Sequence, residues 1–441
     1  MSDQSSRAVS TRARHAGSVI HGLAIEAMSH GADAVARDKG KVVFVSAGAP
    51  GDVVDVEITE THGRFSRGTI CRLLSAAEAR REPRCRYVGR CGGCQWQHLS
   101  YPAQLEAKYR NLSDHLLRIA GIADPRPMPV LASPAEWRYR NRISLRTDGH
   151  RLGFYRAESR ELVEIDECLI AATPIERAIA AARRWLGTVQ TRIRRLALIA
   201  SESAPGVVLV ANAEGRFAAG DDASNRRTLM TETDGTVRGL VMFGKRWRHC
   251  WGNVDVSFII DGDSLTTTGG EFTQVNLEAN RLLSESVLTL GGISPGDEVI
   301  DLYCGAGNLT VPVARRGARV LGIERSARAT ADAEANARRL GLDNCLFLCG
   351  PVEKALVNLG AERPRPQVVI LDPPRGGSVT VLTDIARLSP RRVVYVSCDP
   401  PTLARDLARL ACEGYHLEAV QPIDFFPHTY HLEVVAALSA I

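Results

Sequence analysis

At 441 residues the chain is long enough for two or three domains. Its 45% hydrophobic and 24% charged residues are ordinary for a globular protein, and a net charge of +5 does not by itself indicate a nucleic-acid partner. No run of 18 or more apolar residues offers a membrane span, and eleven cysteines without an apolar export signal argue against a disulfide framework and for a cytoplasmic protein.

Residues 1–14 are polar with scattered arginines and are expected to form a disordered tail. Residues 17 to about 73 alternate apolar and polar positions. Strands are expected at 41–45, 53–58 and 68–71, broken at Gly40, Gly48–Gly51 and His62-Gly63, as in a small β-barrel. Eight arginines follow between Arg64 and Arg90, and Arg138, Arg140, Arg142 and Arg146 come later. Such local concentration of charge is the expected footprint of a polyanion.

Cys85, Cys91 and Cys94 lie in a tight loop around Gly92-Gly93, and Cys168 is a candidate fourth thiol. Four thiolates suit an iron–sulfur cluster or a structural zinc; the absence of two spaced pairs favours the cluster. Cys250, Cys345 and Cys349 sit in apolar runs and are expected to be buried. Helical spacing marks 101–120. From 136 to about 270 the pattern is strand-like, and Trp137–Arg146 as a strand would turn an arginine row outward.

Beyond 276, apolar runs at 298–303, 319–324, 345–349, 367–372 and 392–397 alternate with helical segments at 276–290, 308–316, 326–340, 378–387 and 401–413. This is the rhythm of a doubly wound parallel sheet. Asp301-Leu302-Tyr303-Cys304-Gly305-Ala306-Gly307-Asn308 forms a glycine turn between a strand and a helix, and Glu324 ends the next strand, where a carboxylate accepts from ribose hydroxyls. Two more loops fall at strand ends, Asp372–Gly377 and Ser397–Pro400. Cys398, in the second, precedes a helix start that should lower its pKa, so a thiolate nucleophile beside a nucleotide-like cofactor is expected. Cys304 is a rival, although its place inside the turn suggests packing. Glu433, before the apolar ending Val434–Leu438, is a candidate base.

With these motifs the chain resembles the RNA 5-methyluridine methyltransferases, specifically the TRAM-domain, iron–sulfur branch acting on 23S ribosomal RNA. The resemblance covers residues 15–441. It implies an α+β multidomain fold: a TRAM/OB-like β-barrel at 15–73, a central mainly β domain with the iron–sulfur loop at 74–270, and a Rossmann-like α/β methyltransferase domain at 271–441. It assigns Cys85, Cys91, Cys94 and Cys168 to a 4Fe–4S cluster. It assigns Phe272 and Gln274 of Glu271-Phe272-Thr273-Gln274-Val275-Asn276 to S-adenosylmethionine, together with Asp301, Tyr303, Gly305, Gly307, Asn308, Glu324 and Asp372. Cys398 becomes the nucleophile that adds to uracil carbon 6, and Glu433 the base that removes the carbon 5 proton. RNA is the implied partner, with no membrane, no obligate protein partner and a monomer as the default. One position departs: Asp399 replaces the family's Asn, and its carboxylate is expected to oppose thiolate formation. Other readings are the same chemistry on tRNA uridine, an RNA-binding protein whose catalysis has lapsed, and an amino-group methyltransferase, which would need no thiolate.

Overall fold

The computed structural model describes residues 17–231, 235–359 and 365–441. The expected tail at 1–14 lies outside the described residues. The chain divides into two units: the part through Arg84 with Gln95–Ala107 and His428–Tyr430, and Cys85–Cys94 with Lys108–Pro427 and His431–Ile441.

In the first unit, β1 (Val19–Met28), β2 (Ala34–Asp38), β3 (Lys41–Ser46), β4 (Val53–Thr61) and β5 (Phe65–Ser75) close into a barrel in the order β1-β2-β3-β5-β4. Ile20, Ile25, Val43, Val45, Val54, Val56 and Ile58 fill it, and Trp96 is fully buried in the same cluster. The sequence alone does not give β1. Its alternation breaks where the register against β4 shifts between Ile20 and Leu23, at Gly22 with φ +63°. Buried Asp55 fixes this bulge by accepting the Gly22 N–H at 2.9 Å. The arginine row is partly neutralised. Arg67 pairs with Asp33 at 2.7 Å, Arg72 with Asp55 at 2.9 Å and Arg80 with buried Asp52 at 2.5 Å.

In the second unit, the half of α1 (Tyr101–Arg118) from Lys108 onward buries Leu112 and Leu116. Then come β6 (Arg142–Thr147), β7 (Leu152–Tyr155), β8 (Leu162–Glu164), α2 (Thr173–Leu186), β9 (Ile193–Ala200), β10 (Val207–Ala213), α3 (Asp221–Thr231), β11 (Val237–Phe243) and β12 (Arg248–Gly252). They form a mixed seven-stranded sheet, β12-β11-β10-β9-β6-β7-β8. The strand expected over 137–146 occupies only β6. Arg138 has φ +57°, which no extended strand holds, so the outward arginine row does not form. Arg142 instead donates to the carbonyls of Glu271 and Gly270.

A hairpin, β13 (Asp255–Ile260) and β14 (Asp263–Thr268), precedes the last layer. There α4 (Leu277–Gly291), β15 (Glu298–Leu302), α5 (Thr310–Arg315), β16 (Arg319–Glu324), α6 (Ala327–Arg339), β17 (Cys345–Cys349), α7 (Val352–Leu359), β18 (Val368–Leu371), α8 (Leu382–Arg387), β19 (Arg392–Ser397), α9 (Pro400–Cys412), β20 (Tyr415–Ile423) and β21 (Glu433–Ala440) follow in order. The sheet runs β17-β16-β15-β18-β19-β21-β20, parallel from β17 to β19, with β21 antiparallel to both neighbours. β15, β18 and β19 are nearly continuous Val/Ile/Leu because helices cover both faces. Cys250 and Cys349 are exposed and Cys345 is half-buried, against expectation, because β12 and β17 are edge strands.

A buried ion pair holds the approach to β21. Lys108 and Asp424 are both fully buried, with Nζ 2.6 Å from Oδ1, and Lys108 also donates to the Phe426 carbonyl. Removing one partner from such a pair costs about 3–5 kcal/mol.

Candidate active site

The parallel strands deliver their loops to one end of the sheet, where open α/β folds bind ligands. After β15 the chain turns through Tyr303 at φ +65°, Gly305 at φ +56° and Gly307 at φ +94°. Glu324, at the end of β16, accepts the Gly305 N–H at 3.2 Å and the Ser326 N–H at 2.7 Å. Asp301 is buried below the turn and accepts from the Thr310 hydroxyl at 2.5 Å. Burial raises its pKa to about 7 despite that bond, with Asp372 and Glu324 adding to the rise. Asn308 and Asn280 exchange amide hydrogen bonds at 2.7 and 3.0 Å, tying the turn to α4. The Ser378 hydroxyl lies 3.3 Å from the Tyr303 hydroxyl. Cys304 is buried, which raises its pKa well above the usual thiol range, in keeping with packing.

Segment 271–276 runs alongside. Gln274 donates to Asp372 at 3.4 Å, and Asn276 caps α4 by accepting the Ala279 N–H. Phe272 is 69% exposed, unusual for a large aromatic, and buried Thr273 leaves its hydroxyl without a partner among the described residues. An uncovered ring and an unmatched hydroxyl in one segment fit a ligand that supplies both contacts.

Cys398 and Glu433 meet through strand register. In the β19–β21 ladder Ser397 faces Val434, so the next pair out is Cys398 and Glu433. The expected lowering of the Cys398 pKa is reversed: it is pushed up to about 11, by burial first and then by Glu433, while Arg375 opposes the rise. Asp399 adds the least of the charges that raise it. Its carboxylate caps α9, accepting the Thr402 N–H at 3.0 Å. Glu433 is itself buried, and burial and Asp372 hold its pKa well above the usual carboxylate range, again against Arg375. Burial also raises the Asp372 pKa. Thus one thiol, two carboxyls with raised pKa values and one guanidinium converge. Sequence reading quoted Arg375 but gave it no role, because its pull on Cys398 and Glu433 arises only when the β18 loop reaches both.

Of the four cysteines expected to bind a cluster, Cys85, Cys91 and Cys168 lie close enough to act on one another. Burial raises the Cys91 pKa and pushes the Cys168 thiol to about 11; Cys85 contributes to both, and Cys91 to Cys168. Cys94 and Cys168 both act on buried Tyr139. The Gly93 N–H donates to Cys91 Sγ at 3.4 Å. Gly92 packs so closely that a Cβ there would lie 2.9 Å from the Ala157 nitrogen. Among the described residues no three His, Cys, Asp or Glu side chains are arranged to hold a single metal ion.

Residues 23–71 match the TRAM domain, and residues 260–441 match the tRNA (Uracil-5-)-methyltransferase family. The 23S rRNA (uracil(1939)-C(5))-methyltransferase RlmD of Aeromonas salmonicida is 33% identical, covering 93% of this chain and 94% of its own. Its namesake from Thiobacillus denitrificans is 34% identical, covering 95% and 98%. Among solved structures, the Pyrococcus abyssi tRNA (uracil-54, C5)-methyltransferase with S-adenosyl-L-homocysteine shares the fold at a TM-score of 0.71 and 23% identity, over 95% of this chain and all of that one. The barrel, the parallel sheet with its thiol and acid at one end, and these full-length similarities lead to one conclusion: the chain belongs to the TRAM-domain RNA uracil-C5 methyltransferases.

Proposed function

We propose that this enzyme methylates carbon 5 of a uridine in 23S ribosomal RNA, with S-adenosylmethionine as donor, through a covalent bond between Cys398 and carbon 6. The observation that carries the reading is the Cys398–Glu433 pair at the end of the parallel sheet. The rRNA target is favoured by the two bacterial relatives that cover nearly the whole chain. The barrel does not discriminate, because the archaeal tRNA enzyme shares the fold over 95% of this chain. The tRNA reading is kept open by the family matched at residues 260–441.

The donor carries an electrophilic methyl on a sulfonium sulfur. Phe272 offers it a ring face, and Glu324 a carboxylate for ribose hydroxyls. Gln274, Asp301, Tyr303, Gly305, Gly307, Asn308 and Asp372 shape the rest of its site. Uracil carbon 5 is a poor nucleophile until a thiolate adds at carbon 6 and makes the ring an enolate. Cys398 gives up its proton to solvent, Arg375 favouring the thiolate, and the thiolate forms that bond. Carbon 5 takes the methyl as the methyl–sulfur bond breaks and S-adenosylhomocysteine leaves, the Glu433 carboxylate takes the carbon 5 proton, and elimination restores the carbon 5–carbon 6 double bond and frees Cys398. Burial pushes both pKa values up in the free protein, and Arg375 is the charge that favours ionising both, so Glu433 acts as base in its carboxylate form. The base must leave its stack to reach this depth.

Cys85, Cys91, Cys94 and Cys168 would hold a 4Fe–4S cluster. The Gly93 N–H that donates to Cys91 Sγ is the kind of bond that would support a cluster thiolate. Its role would be structural. The protein would act as a cytoplasmic monomer without an obligate protein partner.

The test is a 23S rRNA fragment carrying 5-fluorouridine, incubated with S-adenosylmethionine and anaerobically purified protein. Fluorine cannot leave as a proton, so a covalent adduct should persist on a denaturing gel and vanish in Cys398→Ala. An adduct with tRNA and none with 23S fragments would transfer the substrate to tRNA. No adduct with either would remove the thiolate mechanism.

A further inference from the structure

The turn leading into β6 borders a cavity of about 340 Å3 that the reaction above does not use. Trp137, Tyr139, Asn141, Ser201, Leu277 and Glu278 line it. That volume lies at the lower end for small-ligand sites and suits a single planar ring.

Two features of its wall are abnormal. Asn141 is 5% exposed, yet its side-chain oxygen and nitrogen both lack a hydrogen-bond partner among the described residues. Buried polar groups are nearly always satisfied, and a primary amide offers two donors and an acceptor. Its backbone has no such gap: the N–H donates to the Val275 carbonyl and the carbonyl accepts from Ala200 N–H, each at 2.9 Å. Those bonds fix Asn141 in place and link the cavity to segment 271–276. The second feature is Arg138, a non-glycine residue at φ +57°. Strain of that kind persists where the surroundings enforce it and gathers at ligand sites. Here the Leu169 carbonyl accepts the Arg138 N–H, and the guanidinium bonds Glu176 and the Thr173 hydroxyl.

The chemistry points to a nucleobase. Arg138 is neutralised by Glu176, and exposed Glu278 adds negative charge, so a phosphate is disfavoured. Half-buried Trp137 lines the cavity and offers an aromatic ring of the kind on which bases stack. An asparagine amide matches a ring edge that carries a donor beside an acceptor, as adenine does. We infer that this cavity receives a second unstacked base of the RNA substrate, an adenine read edge-on by the Asn141 amide. The choice of RNA rests on the reading of the chain as an RNA methyltransferase.

The experiment uses the full-length protein with its donor site filled by S-adenosylhomocysteine, so that adenosine cannot enter there. Saturation-transfer NMR then compares adenosine, purine riboside and uridine. Adenosine is expected to saturate, and purine riboside, which lacks the amino group, to bind on the order of tenfold more weakly. Asn141→Leu should lose the adenosine signal while S-adenosylhomocysteine still binds. Asn141→Asp, which keeps the shape and loses the donor, should do the same and serves if the leucine variant does not fold. Equal binding of uridine and adenosine, an adenosine signal that survives in the variants, or no saturation of any nucleoside overturns the proposal. A 5-fluorouridine adduct without adenosine binding would sink the pocket alone; adenosine binding without an adduct would sink the thiolate mechanism alone.

Discussion

Cys398, a half-buried thiol, and a half-buried group of thiols around Cys91 and Cys168 sit in the larger unit, and their neighbours differ in kind. Around Cys398 the raised pKa comes from burial and carboxylates, with one guanidinium opposing. Around Cys91 and Cys168 it comes from burial and other thiols, with backbone N–H groups opposing. Mixed charge suits a group that must switch between thiol, thiolate and covalent adduct. Thiols massed around glycines suit soft ligands that stay put. Burial alone therefore does not identify a reactive cysteine; the sign and variety of the charges around it do.

The sharpest way to break this contrast is Cys398→Ala. Turnover should fall by about 10^4-fold or more, as when other covalent nucleophiles are removed, with thermal stability nearly unchanged. Retained activity would end the distinction. Glu433→Gln should slow turnover by about 10^2–10^4-fold while adduct still forms, so that bound RNA accumulates on Cys398. Loss of the adduct in that variant would move Glu433 to the addition step. Cys91→Ser should lose bound iron and lower Tm by about 5 °C or more, yet keep the 5-fluorouridine adduct. Loss of the adduct in a folded, stable Cys91→Ser protein would merge the two regions functionally.

The smallest effect concerns pH. With its pKa pushed up to about 11, Cys398 is a neutral thiol through the physiological range. Its alkylation by iodoacetamide should then climb about tenfold per pH unit between roughly pH 7 and 9, without a plateau. Asp399→Asn keeps the α9 cap and removes the least of the raising charges, so the rate should rise by less than about threefold. A larger gain would make Asp399 the main brake on the thiolate.

Much of the site was legible because its parts are local. A strand, a glycine turn and a helix lie within twenty residues at 298–315, and Cys398 sits at the end of an apolar run. What escaped depends on partners far away in sequence. β1 is masked by its bulge at Gly22, which buried Asp55 stabilises from another strand. The arginine alternation at 137–146 read as a strand, but the Arg138 turn depends on Leu169 and Glu176. The exposure of Cys250 and Cys349 follows from sheet order, which no single strand reveals. The Cys398 pKa rises rather than falls because the thiol is buried in the folded site and then meets Glu433, which comes from a strand distant in sequence, and neither is visible from the α9 start alone.

The β19–β21 pairing also bears on how this gene tolerates change. The proposed nucleophile lies one residue beyond β19 and the proposed base opens β21, so their separation is set by backbone pairing. A single-codon insertion or deletion within β21 would exchange the two faces of every residue beyond it. Point substitutions along β21 sample packing, whereas frame-preserving indels sample loss of the entire reaction. Libraries built from short insertions should therefore show a sharp gap over Glu433–Ala440.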